Sequence, residues 1–377
     1  MNKFRFGLEH EVAFLKGESF ADLYNTSFNE FEEIIDKLPT FNSDYSSLRI
    51  DDFLILKNKK IKVKRWYIEG YERLNNNGSI NEFVPKGIEI RTTRKDSIKA
   101  AVAELRQSFQ SLKKVANLFG FSPVLISYNP FNYDLVLKPP LNKYELDRLK
   151  IKPEEKTGYL TIYTFAPDLN ISVDGMSDQQ LVDIAQKLTY YSPFIIPFSF
   201  SAPFYKGKLW NGYSIRTYIR TGKNQRYAVR VFVQDKKYLI AGNPLISLIR
   251  SQSEKFRIEF KAFDSCGDFR IYAGLLALLK GLVLDKTLTG RALVPDKKLH
   301  QLSSRKGFDD KQIRDCANEV LFAAKRALNG DQDMIYLELL EEMLRKKFMP
   351  AQSIIDEYKF SRDVISTLKK SYIKLKI

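Results

Sequence analysis

Hydrophobic and polar residues alternate with a period of two in four well-separated stretches of the chain. In the first, Phe4, Phe6, Leu8, Val12 and Phe14 share one face with His10, and Arg5, Gly7, Glu9, Glu11 and Ala13 share the other. The second, Gly87–Thr93, sets Ile88 and Ile90 against Glu89 and Arg91. In Asp168–Gly175, Leu169, Ile171 and Val173 face inward, and Asp168, Asn170, Ser172 and Asp174 face outward. In Phe256–Asp264, Ile258, Phe260 and Ala262 oppose Arg257, Glu259 and Lys261. Each stretch predicts a strand with one face on a core and one face open, as antiparallel sheets allow. Between them the period changes to that of a helix. Asp96–Phe119 carries Ile98, Val102, Leu105, Phe109, Leu112 and Val115 on one stripe, with Asp96 as its cap and Gly120 at its end. Ser177–Gln180 has the form of a capping box before Leu181, Ile184 and Leu188. Helices are also predicted within Ser19–Pro39, over Leu141–Lys152, Asp310–Leu328 and Ile335–Phe348. The prolines of Pro193–Pro203 exclude a long regular helix there and predict a buried connection.

The prediction is therefore an α+β protein. A mostly antiparallel sheet presents one open acidic face, with helices on the other. The polar faces give it chemistry. Glu9 and Glu11 stand roughly 6–7 Å apart along one strand. Close carboxylates on a dry face repel, and a divalent cation removes the repulsion. If the four strands are neighbours, their open face becomes a floor of carboxylates edged by Arg and Lys. Such a floor suits metal-bound polyphosphate. Arg216 and Arg220, four residues apart, aim the same way if helical, and arginine's planar fork matches phosphate oxygens.

The order of these stretches resembles the glutamate–cysteine ligase/carboxylate–amine ligase family of the short bacterial kind. Gly7–Glu11 matches its G-[IL]-E-x-E strand, and Glu89–Thr92 its E-x-x-T strand. Ser201–Gly207 with Ser214–Arg216 resembles its S-A-S-P-[FY]-x-x-G…S-x-R segment. Ile258–Lys261 with Asp264 resembles its V-E-[VF]-R strand. The likeness covers roughly residues 4–285. Asn170 and Ser172 depart from it, standing where the family usually has two histidines, and Lys261 stands where it has arginine. The resemblance implies a glutamine-synthetase-like ligase architecture. It also implies an ATP-dependent reaction with two or more Mg²⁺, joining glutamate to cysteine or another amine through a γ-glutamyl phosphate. The expected metal ligands are Glu9, Glu11, Glu89 and Glu259. Arg216 and Lys261 are the expected catalytic cations, and Arg91, Asn170, Ser172 and Arg220 are expected to bind nucleotide or substrate.

Composition narrows the alternatives. With 44% hydrophobic and 13% aromatic residues, the chain can bury a sizeable core. The net charge of +16 is dispersed, apart from Lys57–Arg65 and Lys369–Lys376, and suits attraction of anionic substrates better than a nucleic-acid groove. Two cysteines, Cys266 and Cys316, predict reduced thiols and a cytoplasmic protein. Two histidines leave no room for a histidine metal site, and His10 is read as a core residue. No membrane segment or signal peptide is predicted, and a homo-oligomer is open. Residues 1–294 are expected to be catalytic, with 295–377 a helical appendage packed on them. The competing readings are a pseudoenzyme that binds nucleotide or amino acid without turnover, and a basic nucleic-acid binder.

Overall fold

The computed structural model describes residues 3–42, 65–131, 137–151, 160–239, 245–250 and 252–372. The strands are β1 (Phe4–Lys16), β2 (Ser19–Phe20), β3 (Trp66–Leu74), β4 (Ile80–Arg91), β5 (Phe121–Val124) and β6 (Pro167–Val173). They continue as β7 (Phe204–Tyr205), β8 (Lys208–Leu209), β9 (Val229–Val233), β10 (Ile246–Leu248) and β11 (Arg257–Phe260). The main sheet runs β10-β9-β11-β6-β1-β4-β3, with β2 and β5 also paired to β1; β7 and β8 form a separate ribbon. Within the main sheet only β9 and β10 pair in parallel. The four alternating stretches are consecutive neighbours, β11-β6-β1-β4. Their registers place Glu9 opposite both Arg91 and Asp168, Glu11 opposite Glu89, and Glu259 opposite Asn170.

The apolar face carries the helices. Val12, Ile90, Ile171 and Ile258 share one hydrophobic cluster with Leu105 of helix Ile98–Leu118, Leu188 of Asp178–Ile195 and Leu275 of Arg270–Leu284. Arg270–Leu284 covers the most apolar stretch of the chain and is buried almost throughout. No helix among the described residues is long and apolar enough to cross a membrane. His10 is completely buried in this core, where its Nδ1 meets the Tyr272 hydroxyl at 2.8 Å and its Nε2 the Tyr372 hydroxyl at 3.0 Å. Residues after 294 join the same cluster through Phe308, Ile313, Leu321, Leu340 and Met349.

Several local expectations shift. The cap of helix Ile98–Leu118 is Ser97, whose side chain accepts from the Ala100 amide, while Asp96 instead pairs with Lys3 and Arg5. The Ser177 capping box forms, but its helix runs through Pro193 to Ile195 before tightening into the turn Ile196–Ser199. Burial of this segment among apolar neighbours overrides the local penalty of the proline. The strand Trp66–Leu74 pairs with β4 at the edge of the sheet. Lys57–Lys64 and the last residues of the basic C-terminal run lie outside the described residues. At its far end β1 buries both faces, because Ala13 and Leu15 pack on Val124 and Phe165.

Candidate functional site

The open face of the sheet floors a cleft of about 490 Å³. Every described residue lining it falls between Arg5 and Lys261. Period-two alternation delivers the floor: Glu9 and Glu11 from β1, Glu89 and Arg91 from β4, Asp168, Asn170 and Ser172 from β6, Arg257 and Glu259 from β11, and Arg230 from β9. Gly7 has no side chain over the floor, and a Cβ there would meet Asn170 Cβ at 3.7 Å. Lys261 follows the last β11 residue, its amide donating to the Ala228 carbonyl at 2.8 Å.

Three carboxylates converge. Glu9, Asp168 and Glu259 each offer an oxygen, and these lie within 4.8 Å of one another. Asn170 adds an amide at the same place: its Nδ2 donates to Glu9 Oε1 at 3.2 Å, while its buried Oδ1 has no hydrogen-bond partner. Glu259 Oε2 is likewise buried without a hydrogen-bond partner. These oxygens from carboxylate and amide groups suit a hard divalent cation of the Mg²⁺ class and fit poorly with softer metals.

The other two glutamates of the expected set line the same cleft but are engaged elsewhere. Glu11 pairs with the buried Lys86 at 2.9 Å and accepts from the Ala166 amide at 2.8 Å. Lys86 also donates to the Thr161 and Thr164 carbonyls, so it ties Glu11 to the segment leading into β6. Glu89 accepts from Arg91, which also reaches Glu69 at 3.3 Å and lies over the Tyr67 ring. Burial, opposed by Arg91 and reinforced by Glu69, Glu9 and Glu11, raises the Glu89 carboxyl well above its ordinary range.

The cations are of two kinds. Arg216 is a strut, 2% exposed: its guanidinium donates to the carbonyls of Lys261, Ala262 and Phe263 and to Asp264 Oδ1. Asp264 in turn accepts from the Ser201 amide at 3.0 Å, joining the SAPFYKG segment to the turn after β11. Arg220, on the π-helical turn Tyr218–Lys223, also lines the cleft and donates to Thr221 Oγ1. Lys261, Arg257 and Arg230 instead surround the acids. Lys261 contacts Asp168 directly and Glu259 at 3.6 Å. Arg257 contacts Glu259 directly and Glu9 at 3.7 Å. Burial alone would raise Glu259, but Lys261, Arg257 and Arg230 hold it well below the usual carboxylate range. For Asp168, burial is opposed by Lys261 and reinforced by Glu259 and Glu9, and pushes the carboxyl up to about 7. Three carboxylates and three cations thus share one site.

Asp168, Arg257 and Arg230 were not among the residues singled out for roles from sequence. The signal was present for each. Asp168 and Arg257 precede Asn170 and Glu259 by two positions, and Arg230 alternates with Val229 and Val231 on its strand. Alternation names all residues of a face without ranking them.

The fold belongs to a class already seen in solved ligase structures. One is a bifunctional glutathione synthetase from Pasteurella multocida, with a TM-score of 0.55 at 10% identity, covering 98% of this chain and 52% of that one. Another is the ligase PafA in complex with the prokaryotic ubiquitin-like protein Pup, with a TM-score of 0.51 at 13% identity, covering 98% and 73%. The chain thus spans about half the length of the bifunctional synthetase. At these identities the likeness is one of fold. No family profile and no curated protein sequence matches the chain.

Proposed function

We propose that this cleft is the active site of an ATP-dependent carboxylate–amine ligase. The observation that carries the reading is the convergence of Glu9, Asp168 and Glu259 on one floor ringed by Lys261, Arg257 and Arg230. Two of the fold's neighbours, one titled a synthetase and one a ligase, support the same class. Glu9, Asp168 and Glu259, with Asn170 Oδ1, would hold a divalent cation. Such a cation would supply charge neutralisation for phosphate oxygens. In the proposed reaction a substrate carboxylate oxygen attacks the terminal phosphorus of ATP, and the bond to the bridging oxygen of ADP breaks. The amine nitrogen then attacks the acyl carbon, phosphate leaves, and the nitrogen loses its proton. This chain's share is positioning and electrostatics. Lys261, Arg257 and Arg230 offset charge that develops on phosphate, and Arg216 stiffens the turn that presents Lys261.

The finer reading rests on the resemblance: glutamate as the carboxylate, cysteine as the amine, in a cytoplasmic enzyme whose chemistry is contained in residues 1–294. Hydroxylamine, a small amine that needs no tailored pocket, tests it. Glutamate, Mg·ATP and hydroxylamine should yield a hydroxamate together with ADP. ADP formed only with a different carboxylic acid would leave the ligase class standing and remove glutamate. No phosphate release with any acid and amine would remove the ligase and favour a site that binds without turnover.

A further inference from the structure

Lys261 occupies an unusual place for a cation meant to meet phosphate. Its ammonium rests on Asp168 Oδ2 and stands 3.6 Å from Glu259 Oε1, two of the three carboxylates whose oxygens converge. An ammonium and a divalent cation would compete for the same oxygens. Two of the three cations around this triad, Arg257 and Lys261, differ in freedom. Arg257 is stacked on the Phe232 ring at 4.9 Å and contacts both Glu259 and Glu9, so its planar group is fixed. Lys261 has the Asp168 and Glu259 carboxylates on its ammonium, and its backbone is held by the Ala228 carbonyl and the Arg216 guanidinium. Its four-carbon stem can swing while that turn stays in place.

We propose that Lys261 is the resident counter-ion of the Glu9–Asp168–Glu259 site, that a divalent cation displaces it, and that the freed ammonium then faces the anionic reactants. The last step rests on the ligase reading; the displacement does not need ATP. A site kept occupied in this way stays charge-balanced before the metal arrives. It also links metal uptake to the delivery of a positive charge into the cleft, so Lys261 acts as a positioning residue for the cleft's electrostatics and sets the threshold for metal binding.

The test uses the full chain and Mg²⁺ alone, without nucleotide. Lysines are acylated with acetic anhydride and Lys261 is followed by peptide mass spectrometry. An ammonium held between carboxylates is shielded, so its labelling should rise about fivefold or more at saturating Mg²⁺. Calorimetry of Lys261→Met should show Mg²⁺ bound roughly tenfold or more tightly than in wild type, because a competing positive charge at contact distance is gone. Labelling that stays flat or falls while Mg²⁺ binds wild type overturns the counter-ion role and leaves the ligase reading intact. Unchanged Mg²⁺ affinity in Lys261→Met overturns it as well. If neither protein takes up Mg²⁺, the metal site itself fails, and the proposed metal-dependent chemistry with it.

Discussion

At the residue scale, two acids of one triad are expected to respond differently to the loss of charge. Glu259 is held ionised by Lys261, Arg257 and Arg230, so its charge belongs to the fold as well as to the site. Glu259→Gln leaves those cations under-compensated in a buried place, which should cost about 1–3 kcal/mol in chemical denaturation. For Asp168 the balance is closer, since burial and its acidic neighbours push the carboxyl up to about 7 against the pull of Lys261. Asp168→Asn should therefore cost less stability than Glu259→Gln in metal-free buffer near pH 7, yet lose Mg²⁺ binding and ATP turnover by about a hundredfold or more. Equal stability losses in the two variants would contradict this reading of the charges. Arg216 illustrates a residue whose position was expected and whose work differs. Read from sequence as a cation for phosphate, it spends its guanidinium on three carbonyls and Asp264.

At the element scale, the floor depends on how closely β1 and β4 approach and where β4 ends. Gly87 permits the approach: a Cβ there would stand 2.3 Å from the Val12 carbonyl oxygen. Gly87→Ala should force the two strands apart and cost about 2–3 kcal/mol, with loss of turnover because Glu9, Glu11 and Glu89 ride on those strands. Denaturation midpoints and phosphate release measure both effects. Just past β4, Thr92 Oγ1 accepts the Leu8 amide at 2.8 Å, and Thr93 is held by the buried Glu104, itself paired with Arg65 and Lys95. Thr92→Val keeps the shape but strands a buried amide, an expected loss of about 1–3 kcal/mol. A neutral Thr92→Val would show that water or a shift of the turn satisfies Leu8. The E-x-x-T pattern thus has a structural meaning here: the threonine finishes the pairing that aims the glutamate's strand.

At the scale of the whole molecule, chemistry and folding have different extents. The described residues lining the cleft end at Lys261, yet the core runs on through Phe308, Leu340 and Met349, and Tyr372 hydrogen-bonds His10 beneath the floor. A fragment of residues 1–294 exposes that apolar surface and should fail to give a cooperative unfolding transition by circular dichroism. The two buried histidines make stability depend on pH. Burial holds His10 neutral down to about 3 and His300 down to about 4. Both values lie below the ordinary one, so the folded state binds fewer protons than the unfolded chain. Their stability contribution is complete above pH 6.5 and is lost as pH falls toward 4, about 1.4 kcal/mol for each histidine at pH 5.5. The raised carboxyls of Asp168 and Glu89 act in the opposite sense, so wild type is best compared with His300→Gln, where only one histidine differs. The stability difference between these two proteins should narrow by about 1.4 kcal/mol between pH 7.5 and 5.5. A gap that stays constant would mean that His300 accepts a proton inside the fold.

Period-two alternation in Phe4–Phe14, Gly87–Thr93, Asp168–Gly175 and Phe256–Asp264 was enough to identify strands with one apolar and one polar face, because a strand has only two sides. Helical spacing and the Ser177 capping box were enough to locate the main helices, because those signals are local. Which strands are neighbours was a matter for tertiary structure, and so was the partition of the acids. Glu11 and Glu9 have the same chemistry and nearly the same sequence context. Lys86, brought from β4, takes one, while Asp168 and Glu259, brought from β6 and β11, meet the other. A carboxylate's role is set by the charges that reach it across the sheet, and those come from positions roughly 80 to 250 residues away along the chain.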